Sequence, residues 1–217
     1  MIPELHDLAV MVQSDVILLQ DNETWSRKGR VHRAQIRTPD GTQYIHIPVR
    51  TEDRKKTIRE LRIDHSENWI NQIHLSLEYN YRNSVYYDFY EPEIRADIDT
   101  GNEHEYLLPF ILYLRKRIFR FLDINLDAEI IFASDFKQYV PDPDQLCESM
   151  KMDFYTQEPH ARHYQRQGTG KKRNEIQFNH PVYRQHYDGF EPRCCLLDLL
   201  FQYGPESFQI LDQLAES

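Results

Sequence analysis

The chain has 217 residues, with 26 Lys and Arg against 35 Asp and Glu, for a formal net charge of −9. That balance leaves no broad basic surface for nucleic acid, and the longest apolar run, YLLPFILYL from Tyr106, is too short to span a bilayer. Seven glycines argue against a glycine-rich barrel or a repeat protein, while 14 Tyr and 11 Phe must largely line a core or a groove.

The opening MIPELHDLAVMVQSD lacks a basic-then-apolar leader pattern, and three cysteines, two of them adjacent, are not a disulfide framework. Both features suit a reducing cytoplasm. Pro3 stands at a favoured first-turn position, and Leu5, Leu8, Ala9 and Val12 follow at helical spacing. DVILL reads as a short buried strand, and HRAQIRTPDGTQYIHIPV as a hairpin turned by TPDG. TIRELRID alternates like a further strand. HSENWINQIHLSLEYNYRN predicts a helix capped by Ser66, with Trp69, Ile73 and Leu77 on one face.

An aromatic segment, SVYYDFYEPEIR, precedes ADIDTGNEHE, the one candidate linker. Leu107, Ile111, Leu114, Ile118 and Phe121 then stripe a helix whose last turns carry Arg115, Lys116, Arg117 and Arg120, cations that suit a helix C-terminus. AEIIFASD predicts a strand, PDPDQLCESMK a helix, DFYT a strand and QFNHPVY an extended piece. A buried helix over 193–203 stops at Gly204 and Pro205. The expected class is α/β: a layered mixed β-sheet with flanking helices, in a single domain with a helical second half and a possible subdivision near 97–104.

Several tempting motifs fail. GTGKK at Gly168 lacks the earlier glycine and the following Ser or Thr of a phosphate loop. DIDTG and DINLD misplace the glycine of a calcium loop. HARH, from His160, has metal-ligand spacing but no second convincing pair, so neither a metal nor any cofactor is expected. The loop around Gly168 does gather Arg162, Arg166, Lys171, Lys172 and Arg173. It is either a solvated loop or an anion clamp. Cys194 and Cys195 read as small buried hydrophobes, against a nucleophile served by His180 or His186. Asp198, flanked by CCLL and LLF, lies on a helix with no polar face and must be paired, hydrogen-bonded or protonated. It either holds a turn or orients a histidine such as His180.

DGTQYIHIPV, LRIDHSENWINQIHLSLEYNYRNSVYYDFYEP, FYTQEPHARHY and HPVYRQHYDGFEPRCCLLDLLFQYGPES together resemble, in order and spacing, the WbqC-like family. DVILLQDNETWSRKGRVHRAQI adds a strand, an acidic–aromatic turn and an Asn-Arg-type motif similar to that family's. The likeness covers nearly the whole chain and is most specific in HPVYRQ and FEPRCCLLDLLFQYGPES. Three departures stand out: His32 replaces a usual Asn, TQEP from Thr156 a frequent Ser-Gly, and Cys195 a common Ser. The family's opening strand and Gln-Pro–aromatic–Pro–Gly segment have no counterpart here.

The family accompanies surface-polysaccharide (O-antigen type) biosynthesis. The resemblance implies a cytoplasmic transferase that moves an aminoacyl (glycyl) or acyl group onto a nucleotide-activated or lipid-linked sugar. The alternative it leaves is a non-catalytic module binding a sugar nucleotide or a pathway enzyme; a Cys–His hydrolase is a third. On the transferase reading His180 is the general base, Asp198 fixes its tautomer, and Tyr183 and Gln185 orient substrate. Arg33 with Arg162, Lys171 and Lys172 would hold a diphosphate. The aromatic residues of 79–90, Tyr79 among them, would stack on a sugar or base. Asp21, Trp69, His74, Tyr155 and Tyr164 are the remaining polar positions that match the family, taken as substrate contacts.

Overall fold

The computed structural model describes residues 1–138, 140, 142–156, 171–174 and 178–214. The chain opens with α1 (Leu5–Val12), whose first turn is closed by Asp7 accepting the Glu4 backbone N–H at 3.1 Å. Strand β1 (Val16–Leu19) follows and pairs in parallel with β4 (Glu129–Phe132). The hairpin β2 (Arg33–Thr38) and β3 (Gly41–His46) forms as the turn chemistry predicts, with Thr38 opposite Gly41. The fold is therefore α/β and contains both pairing senses, divided between two two-stranded ladders.

The ladders stay small for an identifiable reason. TIRELRID, expected as a strand, instead folds its Ile58–Glu60 stretch into a 3₁₀ turn. It buries Ile58, Leu61 and Ile63 but makes only single bridges, Thr24 to Thr57, Val49 to Ile63 and Arg62 to Tyr106. The fully buried Asp53 takes the Arg62 backbone N–H at 3.1 Å, together with its guanidinium at 2.8 and 2.9 Å. A side chain thus occupies a donor that a continuous ladder would use. The Arg62 hydrogen bonds hold the Asp53 carboxyl well below the usual carboxylate range.

Helix α2 (Trp69–Tyr81) starts at Asn68 rather than Ser66, because Ser66 bonds back to Asp64 through its N–H and hydroxyl. The aromatic segment after it becomes α3 (Tyr87–Asp99), with Pro92 inside. The predicted linker is the end of that helix and a 3₁₀ turn, Thr100–Glu103. Gly101 lies against two rings there: a Cβ on it would stand 2.5 Å from Trp69 and 3.0 Å from Phe110. Helix α4 (Leu107–Phe121) buries Leu107, Ile111, Leu114 and Ile118 as its stripe predicts. Arg117 does more than face a helix terminus, since it bonds Asp97 at 2.8 Å and Glu93 at 3.0 Å on α3.

After β4 come α5 (Pro143–Ser149), capped by Asp142 accepting the Gln145 N–H, and α6 (Leu196–Tyr203). Gly204 ends α6 at φ +50°, with the Tyr86 ring where a Cβ would be. A short α7 (Phe208–Leu211) and a 3₁₀ turn, Asp212–Leu214, close the described chain. Buried side chains from α1, β2, α2, α3, α4 and α6 form one apolar cluster. Among the described residues no helix is long and apolar enough to cross a membrane.

Gly101→Ala should cost about 1–3 kcal/mol, the usual range for forcing extra volume into a packed site. Urea unfolding monitored by tryptophan fluorescence reads it directly; unchanged stability would mean that the Trp69 ring moves aside freely.

Candidate functional site

Helix α6 buries every side chain from Leu196 through Phe201, and Asp198 lies among them at 1% exposure. Burial pushes its carboxyl pKa up, while three donors pull the other way. The Tyr81 hydroxyl donates to Oδ1 at 2.9 Å. The Tyr183 hydroxyl and Gln185 Nε2 donate to Oδ2 at 2.8 and 3.0 Å. The Tyr81 oxygen accepts the Arg37 backbone N–H, and Gln185 exchanges two further bonds with the Glu191 backbone. A carboxyl group this deep requires such donors, and here they are supplied by α2 and the segment before α6.

The orienting role expected of Asp198 toward His180 is therefore corrected. None of its three hydrogen bonds reaches that histidine, and Tyr183 and Gln185 turn inward to hold the carboxylate. His180 is oriented by its own neighbour: Nδ1 lies 2.9 Å from the Pro181 carbonyl oxygen. A carbonyl only accepts, so Nδ1 carries the proton and the neutral ring keeps a lone pair on Nε2. The half-buried ring sits edge-on to Phe178 and Phe190, and burial lowers its pKa. Phe178 in turn stacks on His6 at 4.3 Å.

A second feature lies elsewhere. A cavity of about 660 Å³ is walled by α1 and β1, by α4, and by α5 with residues 150–156. Two predicted residues line it, Asp21 and Tyr155. Asp21 follows β1 and accepts the Ser134 N–H at 2.9 Å just beyond β4, while its carbonyl accepts the Arg59 N–H. It thus fastens the carboxyl ends of the parallel pair, where open α/β sheets form their crevices. Tyr155 is held by backbone bonds to Lys172 and Asn174. His180, Tyr183, Gln185 and Asp198 are not among the walls.

The other predicted residues scatter. Trp69 is a core ring edge-on to Phe110, and buried His74 bonds Asp99 at 2.8 Å; neither lines this cavity. Arg33 lies over the Tyr44 ring at 4.1 Å, in a narrow crevice with Glu4 and Arg193. Lys172 points Nζ at the Met152 carbonyl, and Lys171 is exposed beside it. Arg162, Tyr164, Arg166 and the HARH pair lie outside the described residues. Cys194 and Cys195 are buried, and burial pushes the Cys195 thiol up to about 12 and Cys194 further, so neither is a thiolate at neutral pH. Among the described residues no group of three His, Cys, Asp or Glu could hold a metal ion. Motif reading missed the cavity walls, Asp7, Met11, Lys28 and Cys147 among them, because no spacing links them in sequence.

Residues 2–210 match the sequence model of the WbqC-like protein family. The chain is also similar to the uncharacterized protein Rv1507c of Mycobacterium tuberculosis, at 26% identity over 204 residues, covering 89% of this chain and 86% of that one. No solved structure matches.

Asp198→Ala should strand two tyrosine hydroxyls and an amide in a dry site. Each unsatisfied group costs about 1–3 kcal/mol, so a loss above about 3 kcal/mol is expected in urea unfolding. A loss under about 1 kcal/mol would show that the junction is dispensable. A second prediction concerns His32, which accepts from Trp25 Nε1 at 3.3 Å and whose burial lowers its pKa to about 4. The unfolded chain binds this proton near pH 6.5 and the folded chain does not, so stability falls as pH drops from about 6.5 to 4, by roughly 3 kcal/mol. His32→Gln should flatten that limb in melting curves taken between pH 7 and 4; an unaltered limb would assign the acid sensitivity to another group.

Proposed function

Because the chain belongs to the WbqC-like protein family, we propose that it is a transferase of surface-polysaccharide biosynthesis that moves an aminoacyl or acyl group onto an amino sugar. The observation that carries this reading is His180. Its Nδ1–H is fixed on the Pro181 carbonyl, so Nε2 presents a lone pair, and its lowered pKa keeps the ring neutral at pH 7. A base of that kind removes the proton from a sugar amine as it attacks an acyl carbonyl. Asp198, Tyr183 and Gln185 support the wall behind His180 through Phe190, which packs edge-on to both Tyr183 and His180. A nucleotide-activated or lipid-linked sugar is the acceptor class, and the setting is the cytoplasm.

A second reading is favoured by one fact: the large cavity does not include His180. On that reading the chain binds its sugar ligand, or a pathway enzyme, without turnover.

The two separate in one experiment. Purified protein is incubated with amino-sugar nucleotides and glycyl or acyl donors, and products are read by mass spectrometry. The transferase reading expects turnover that His180→Gln lowers by about 10²–10⁴-fold at unchanged melting temperature. It also expects the rate to rise with pH through a pKa below about 6.5 and then level off, because the base works deprotonated. Thermal stabilisation by a sugar ligand, with no product and no effect of His180→Gln, would establish the binding module instead.

A further inference from the structure

The walls of the large cavity have a composition that the rest of the chain does not share. The protein has four methionines, and all four, Met1, Met11, Met150 and Met152, line this one space. Methionine is unbranched and polarizable, and surfaces rich in it mould to apolar ligands of variable shape. Strand β1 adds Val16–Leu19, none of them fully buried, and α4 adds Leu108 and Leu112, each only partly covered. So much half-covered aliphatic surface around about 660 Å³ is in the range that encloses a small ligand. The charged lining is mixed in sign: five carboxylates, among them the exposed Asp15 and Asp153, stand against four cations, among them the exposed Lys28 and Lys151, with Asn174 exposed beside them. Carboxylates and cations in nearly equal number do not select a charged head. Together with an amide they offer the donors and acceptors that hydroxyl groups need.

We propose that this cavity takes the hydrocarbon chain of an amphiphile whose head is rich in hydroxyl groups. Within the transferase reading, on which this assignment to a substrate rests, that ligand is a lipid-linked sugar. The chain lies against β1 and the methionines, and the sugar emerges at the rim between Lys28 and Lys151.

The probes are octyl, decyl and dodecyl maltoside, each titrated by calorimetry below its critical micelle concentration, with free maltose and dodecyl phosphate for comparison. Each buried CH₂ should tighten binding about fourfold, so two should give roughly 15-fold until the cavity is full. Maltose alone should not bind measurably, and dodecyl phosphate should bind no tighter than dodecyl maltoside. Leu112→Glu, at a partly exposed position in the wall, should abolish the chain-length dependence; Met11→Glu repeats the test if the first variant fails to fold. Leu75→Asp, on the exposed outer face of α2 and away from the cavity walls, should leave binding intact. Affinity independent of chain length, or lost in Leu75→Asp and kept in Leu112→Glu, would overturn the proposal. Much tighter binding of dodecyl phosphate would overturn the sugar head. Chain-dependent binding without turnover would leave the cavity assignment standing while the transferase reading failed. Turnover of nucleotide sugars without chain binding would do the reverse.

Discussion

The Asp198 carboxyl fastens pieces of chain that lie far apart in sequence to a single buried point. Tyr81 comes from α2, 117 residues earlier, and Tyr183 and Gln185 from the extended segment before α6. Through the Tyr81 hydroxyl the same network reaches the Arg37 backbone on β2. Apolar packing can bring such elements together, but it is non-directional and tolerates sliding. A buried carboxylate does not, because each lost donor costs free energy in a place where few replacements exist. The network therefore sets the register of α6 against α2 and the hairpin, and it fixes the path of the segment that carries His180.

Asp53 works in the same way at the other side of the molecule, with a different outcome. It binds Arg62 and, at 2.6 Å, Lys56, and so draws an extended segment into a compact loop. There the acid has full ionic partners and its pKa falls. Asp198 has only neutral donors hydrogen-bonded to it and its pKa rises. At Asp53 the hydrogen bonds to Arg62 outweigh the cost of burial, whereas at Asp198 burial outweighs its neutral donors.

Much of this architecture was legible in the sequence where one local rule sufficed. The α4 stripe, the TPDG hairpin and the Gly204 stop of α6 all follow from periodicity or turn chemistry. Legibility failed where a distant side chain overrode the local rule. TIRELRID reads as a strand by its alternation, yet a 3₁₀ turn takes Ile58–Glu60 and Asp53 claims the Arg62 N–H. The residues of α3, rich in rings and acids and holding Pro92, carry no clear period, and neighbouring helices settle their state. For the site, burial of Asp198 could be read from its flanks, but Tyr81 as its partner could not. The cavity was invisible because its walls come from the first 31 residues and from distant stretches within 108–115 and 143–156.

The gathering of every methionine around one space also has a chemical consequence. Thioether sulfur is oxidised to a sulfoxide, which turns a pliant apolar side chain into a polar, chiral one. Met11, Met150 and Met152 are each partly open to solvent, so an oxidant would reach this wall before it reached the closed core. The first effect of oxidative damage would then be a cavity that repels hydrocarbon inside a protein that remains folded, reversible by a reductase that restores the thioether.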